Sequence, residues 1–166
     1  MKLYHQSVLS NIAVSNTKSL ISSNKERSKQ IIETQRKMSE HNLIHSLWMR
    51  AGLEKSEQEK IKIYDQILEI NDSDIEALTY KADVLIDMDE ISWALSLTNE
   101  ALEHDHKYAL AYWQRACCNA KLGQEDEAIE DIIKALELSN SLKEELSNEP
   151  NFKKLEDNPA FISLKI

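Results

Sequence analysis

Small and apolar residues recur at three-to-four spacing along much of this chain. Ala109, Tyr112, Ala116 and Asn119 or Ala120 mark one face of a helix, and Ala128, Ile129, Ile132, Ile133, Ala135, Leu136 and Leu138 mark the next. Gly123 stands between them as a C-terminal cap. Nearer the N-terminus the stretch from about Lys25 to Met38 predicts a helix with Ile31, Ile32, Gln35 and Met38 on one face. Ser15-Asn16-Thr17 and Ser22-Ser23-Asn24 read as polar breaks before it. At the other end, Ser141 to Asn148 predicts a continuing helix with Leu142 and Leu146 facing inward. Asn158 then serves as an N-cap, with Pro159 as the first helical residue. Phe152 and Phe161 are expected to dock on the preceding helices.

A shift of 34 residues aligns the segment from Ile75 with the segment from Ala109. Ala77 falls on Ala111, Ala82 on Ala116, Ala94 on Ala128, and Ala101-Leu102-Glu103 on Ala135-Leu136-Glu137. A further shift places Ile67-Leu68-Glu69 on Ala101-Leu102-Glu103. Small residues at fixed places let two helix axes approach, where a larger side chain would hold them apart.

Composition narrows the picture. Two glycines and two prolines in 166 residues exclude sheets of many short strands and the glycine-rich phosphate loops of nucleotide folds. Charge is unevenly spread: residues 1–40 carry a net +4 and residues 41–166 a net −13. So acidic a body argues against nucleic acid and anionic lipid as partners. No apolar run is long enough to span a membrane or serve as a secretory signal. Cys117 and Cys118 are neighbours and read as free thiols, which suits a reducing, cytoplasmic setting. A leaderless secretion signal in the polar N-terminus stays open.

The alanine positions and the 34-residue spacing resemble the tetratricopeptide repeat (TPR) family. The best unit contains Ala111-Tyr112-Trp113-Gln114-Arg115-Ala116, Lys121-Leu122-Gly123, Glu127-Ala128-Ile129 and Lys134-Ala135-Leu136-Glu137-Leu138. The resemblance implies an all-α solenoid of about three helical hairpins: a degenerate unit over 41–74, then 75–108 and 109–140. An N-terminal basic arm, 1–40, partly helical or disordered, precedes them, and a capping segment, 141–166, follows. The first unit departs from the pattern, with Trp48 and Lys60 where the others carry alanine. Asp72, His106 and Asn140 stand where a proline often ends a repeat. The arm is open to four roles: capping the first repeat, pairing two protomers as a homodimer, filling the protein's own groove, or remaining disordered.

In TPR proteins one face of the first helix of each unit lines a peptide-binding groove. Position by position, the resemblance implies Glu76, Thr79, Tyr80, Asp83, Ile86 and Asp87 in the middle unit. It implies Leu110, Trp113, Gln114, Cys117, Ala120 and Lys121 in the last, and Asn42, His45, Ser46, Met49, Gly52 and Leu53 in the first. The basic clamp that heat-shock co-chaperones of the family place on a C-terminal carboxylate is absent. Asp83 and Asp87 would repel a carboxylate, and Lys121 is a lone cation. Tyr80, Trp113, Met49 and Leu110 beside acidic groups instead fit an apolar or basic-apolar segment of another protein. Alternatively, Tyr80 and Trp113 are packing residues.

Catalytic constellations are weak. His41 and His45 stand four apart without an obvious third ligand, so no metal is expected. Arg115 and Lys121 lie near enough in sequence to lower a cysteine pKa, but no nucleophile–base pair can be read. The expectation is a non-catalytic adaptor or scaffold without a cofactor. Two alternatives stand beside it. One is a chaperone for a secreted protein, resembling small acidic type III secretion chaperones in architecture. The other is the repeat scaffold of an enzyme or toxin system.

Overall fold

The computed structural model describes residues 2–165, with side chains from residue 14 onward. The described residues are helical and contain no strand. The elements are α1 (Lys2–Leu53), α2 (Glu57–Ile70), α3 (Ile75–Asp87), α4 (Ile91–His104), α5 (Ala109–Leu122) and α6 (Glu125–Leu138). Two 3-10 segments (Asn140–Lys143 and Pro150–Leu155) and α7 (Pro159–Leu164) complete them. The chain divides into two compact units, Met1–His45 and Ser46–Ile166.

The described residues of the first unit, 2–45, all lie in α1. The polar breaks expected at Ser15-Asn16-Thr17 and Ser22-Ser23-Asn24 do not interrupt it. Serine, threonine and asparagine each cost about half a kcal/mol in a helix relative to alanine, which weakens a helix without forbidding it. Ser28 and Thr34 give their hydroxyl protons to the carbonyls of Asn24 and Gln30, one turn back, so the competing hydroxyls are absorbed within the helix. Glu33 pairs with Arg36 at 3.2 Å and Lys37 at 3.8 Å, and Arg36 with Glu40 at 3.6 Å. Such exposed pairs add about 0.3–0.5 kcal/mol each. Every side chain from Val14 to Ser39 is exposed.

In the second unit the 34-residue repeat of the sequence is a repeat of backbone. Helices α2, α4 and α6 begin at Glu57, Ile91 and Glu125, and α3 and α5 at Ile75 and Ala109. Asn71, Asp105 and Ser139 end the even-numbered helices in one extended conformation, with φ of −139°, −143° and −146°. Their N–H groups bond the carbonyls of Ile67, Ala101 and Ala135. Three residues on, Asp74, Tyr108 and Leu142 each bond back to the capping carbonyl at 3.2 Å. These turns are therefore closed by hydrogen bonds, with no proline in them. The α3 and α5 ends also match: Asp89 has φ 64° and Gly123 φ 77°. A left-handed residue lets Glu90 and Gln124 bond the carbonyls of Leu85 and Asn119, five residues earlier.

Packing follows the same register. Ala77, Ala82, Ala94, Ala101, Ala111, Ala116, Ala128 and Ala135 are all fully buried. Consecutive helices from α2 to α6 pack on one another, and α3 also meets α5. Polar links repeat too. Lys81 on α3 pairs with Asp65 on α2, and Arg115, 34 residues later, bonds Asn99 on α4 at 3.0 Å. Arg115 also holds Asp131 of α6 by two bonds, 2.8 and 2.7 Å, with Asn119 adding a third at 3.1 Å. Two-pronged geometry and a satisfied neighbour make this partly buried pair firm.

The tail folds differently from the helix expected over 141–148. Only the 3-10 turn Asn140–Lys143 forms, followed by turns that deliver Leu146 to the interior. Phe152, Leu155 and Phe161 are then buried against α5 and α6. Asn158 caps α7 by accepting from the Ala160 N–H at 3.0 Å and donates to Glu125 at 3.0 Å. Burial of each phenylalanine is worth about 2–3 kcal/mol.

Candidate binding face

Positions 113, 114 and 117 of α5 are brought together on one surface, and that surface is covered. The Phe152 ring meets Trp113 edge-on at 5.0 Å and continues to Phe161 at 6.0 Å. The Trp113 indole N–H points at Glu149, 3.4 Å away. Glu149 is fixed in turn by the backbone and side-chain amides of Asn151, at 3.1 and 2.7 Å. Trp113, Gln114, Cys117 and Ala120 are all buried, and Leu110 is half-buried. Trp113 thus serves as the floor for the protein's own tail, not as an anchor presented to solvent. Lys121 is not a lone cation: its ammonium donates to the Ile86 carbonyl at 2.8 Å and to Asp89 at 3.1 Å. It lines, with Pro150, Asn151, Lys153 and Lys154, a depression of about 640 Å³ beside the tail.

The equivalent face of α3 stays open. Tyr80 is 42% exposed. Its ring packs against Trp48 from the last turns of α1 at 5.6 Å and against Tyr64 of α2 at 6.5 Å. Trp48 also meets Tyr64 at 5.6 Å, so three aromatic rings form one closed cluster. A tryptophan at the position of Ala82 and Ala116 fills the space between helices with ring surface. Met49 beside it is exposed, as are Asp83 and Asp87, one turn apart on α3. Glu76 is exposed at the start of the same helix, whereas Thr79 and Ile86 are buried. Gly52 and Leu53 are exposed, as is Ser46. In the first unit, Asn42 and His45 are exposed.

Electrostatics separate the two faces further. Partial desolvation, then repulsion from Asp87 and Glu149, raises the Asp83 carboxyl above the usual range, while the Gln114 amide, donating at 2.9 Å, works against the rise. Desolvation and the nearby Asp83 likewise raise Tyr64. A cation brought to this cluster would meet charge that is poorly compensated and ring faces suited to it. Sequence reading named Tyr80, Asp83, Asp87 and Met49 as candidates, treated Trp48 only as a departure from the small-residue pattern and gave Tyr64 no part in the face. The signal was bulk at a position where two other units carry alanine.

The thiols have no activated character. Burial pushes Cys117 well above its ordinary value and Cys118 up to about 12, the latter against the opposing pull of Lys121. Among the described residues, no group of three histidine, cysteine or carboxylate side chains is placed to hold a metal ion. Among them, too, no helix is long and apolar enough to cross a membrane. No protein-family model matches the chain, and no curated protein matches it.

Proposed function

We propose that residues 46–166 form a TPR-type α-solenoid that binds a segment of another protein on the α3 face. The observation that carries this reading is the Trp48–Tyr64–Tyr80 cluster, which reaches solvent through Tyr80 and half-buried Trp48 over a buried Tyr64 and is flanked by exposed Asp83 and Asp87. Aromatic rings with an adaptable methionine bury a partner's apolar side chain. Two carboxylates one turn apart select a lysine or arginine next to it. The ligand class is therefore a basic-apolar peptide or helix, held without covalent chemistry, and the protein acts as an adaptor. The aligned 34-residue backbone repeat supports the TPR assignment.

The test is a fluorescence titration of the full chain with two synthetic peptide sets, one alternating Arg/Lys with Leu/Phe and one with the basic residues replaced by glutamate. Preferential binding of the basic set is expected, with Tyr80→Ala weakening it about tenfold, the loss of a ring anchor worth about 1.4 kcal/mol. Equal binding of both sets, or no change in Tyr80→Ala, removes the α3 face from consideration.

A further inference from the structure

The arm carries an unused surface of its own. At about 100° per residue, Leu20, Ile31 and Met38 of α1 fall on one line along the helix. Val14, Ile21, Ile32 and Leu43 fall on a second line, about 100–140° around the helix from the first. All seven are exposed, by 51–66%. Between the two lines lie only uncharged polar residues, including Asn24, Ser28, Gln35 and Ser39. The charged residues lie elsewhere: Lys18, Glu26, Lys29, Glu33, Arg36, Lys37 and Glu40 occupy the opposite side, and Arg27 and Lys25 sit at the sector's two edges.

We propose that α1 assembles this protein with further copies of itself through that uncharged face, between Val14 and Leu43. Three physical arguments select a second copy. First, in a parallel, in-register pair each side chain meets its own kind, so a charge at the centre would meet a like charge, and the centre of this sector has none. Second, the area suffices. Seven side chains at these exposures offer roughly 100 Å² of apolar surface each, hence about 700 Å² per helix. A pair then buries about 1,400 Å², inside the span of about 1,200–2,000 Å² typical of stable interfaces. Third, seven of the ten residues from Ser15 to Asn24 are serine, threonine or asparagine, a composition that does not sustain an isolated helix in water. Pairing supplies what propensity lacks. A face this wide is that of a helix in a bundle, broader than the narrow seam of a strict two-stranded coiled coil.

Sedimentation velocity and light scattering on the full chain at micromolar concentration decide the matter. The expected mass is at least twice that of the monomer, with α-helical circular dichroism falling on dilution. Ile31→Glu/Met38→Glu and Ile21→Glu/Ile32→Glu should each return the monomer, while Lys29→Glu on the charged side should not. All three tryptophans lie outside the arm, so unchanged tryptophan emission certifies the folded body in each variant. A monomeric wild type overturns the proposal, as does an oligomer that survives both double variants. A monomer whose arm gains helicity only on anionic vesicles assigns the face to lipid and overturns it as well.

Discussion

The α3 and α5 faces stand at equivalent positions of one 34-residue repeat, yet one is open and the other closed. Tyr80 on α3 corresponds to Gln114 on α5, and Asp83 to Cys117. On α5 the tail brings Phe152 onto Trp113 and seals the surface. On α3, Trp48 and Tyr64 form a ring cluster that reaches solvent through Tyr80. Equivalent backbone therefore sets where a face lies, and side-chain bulk with chain connectivity decides whether it is covered or left open to solvent.

The comparison can be broken most severely by deleting residues 150–166, which removes Phe152, Leu155 and Phe161 and bares Trp113. Loss of cooperative unfolding and aggregation on gel filtration are expected; an unchanged melting temperature would show that the α5 face does not need its cover. Phe152→Ala is the milder form, with an expected loss of about 3–5 kcal/mol in urea unfolding. Tyr80→Ala on the open face should cost less than about 1 kcal/mol, because the ring is already partly in water. A loss equal to that of Phe152→Ala would mean both faces are core.

Asp83 sharpens the contrast through pH. Its folded pKa is raised, so the folded state favours the protonated form. Stability then rises as pH falls through the raised folded value toward the ordinary carboxylate value, and is lower above that window. Asp83→Asn should flatten this part of the stability–pH curve, as followed by thermal unfolding. It should also abolish the decline in basic-peptide binding expected over the same window.

The smallest effects concern the paired turns. Gly123→Ala should cost about 1 kcal/mol through its left-handed φ alone, since an added Cβ would meet nothing within 4 Å. Asp89→Gly should gain a few tenths of a kcal/mol from relaxed backbone and lose part of that with the Lys121 ion pair. Denaturant titration of both variants measures the balance.

Much of the second unit was legible in sequence, because alanines at helix crossings and the 34-residue shift are local, repeated signals. The tail's phenylalanines and the Asn158-Pro159 start of α7 were legible for the same reason: capping is decided by neighbours in the chain. The continuity of α1 was less so, since serine and asparagine weaken a helix by fractions of a kcal/mol that context can outweigh.

By itself, the sequence determined the all-helical class and the 34-residue register of the helices. Only the tertiary structure decided that Trp113 is covered, that Lys121 is already paired, that the cysteine thiols are pushed upward by burial, and that Trp48 and Tyr64 join Tyr80. The reason is one of range. Helix periodicity and capping act over three or four residues, whereas Phe152 reaches Trp113 across 39 positions and Tyr80 reaches Trp48 across 32. No pattern within a repeat specifies which distant side chain will arrive to exclude water.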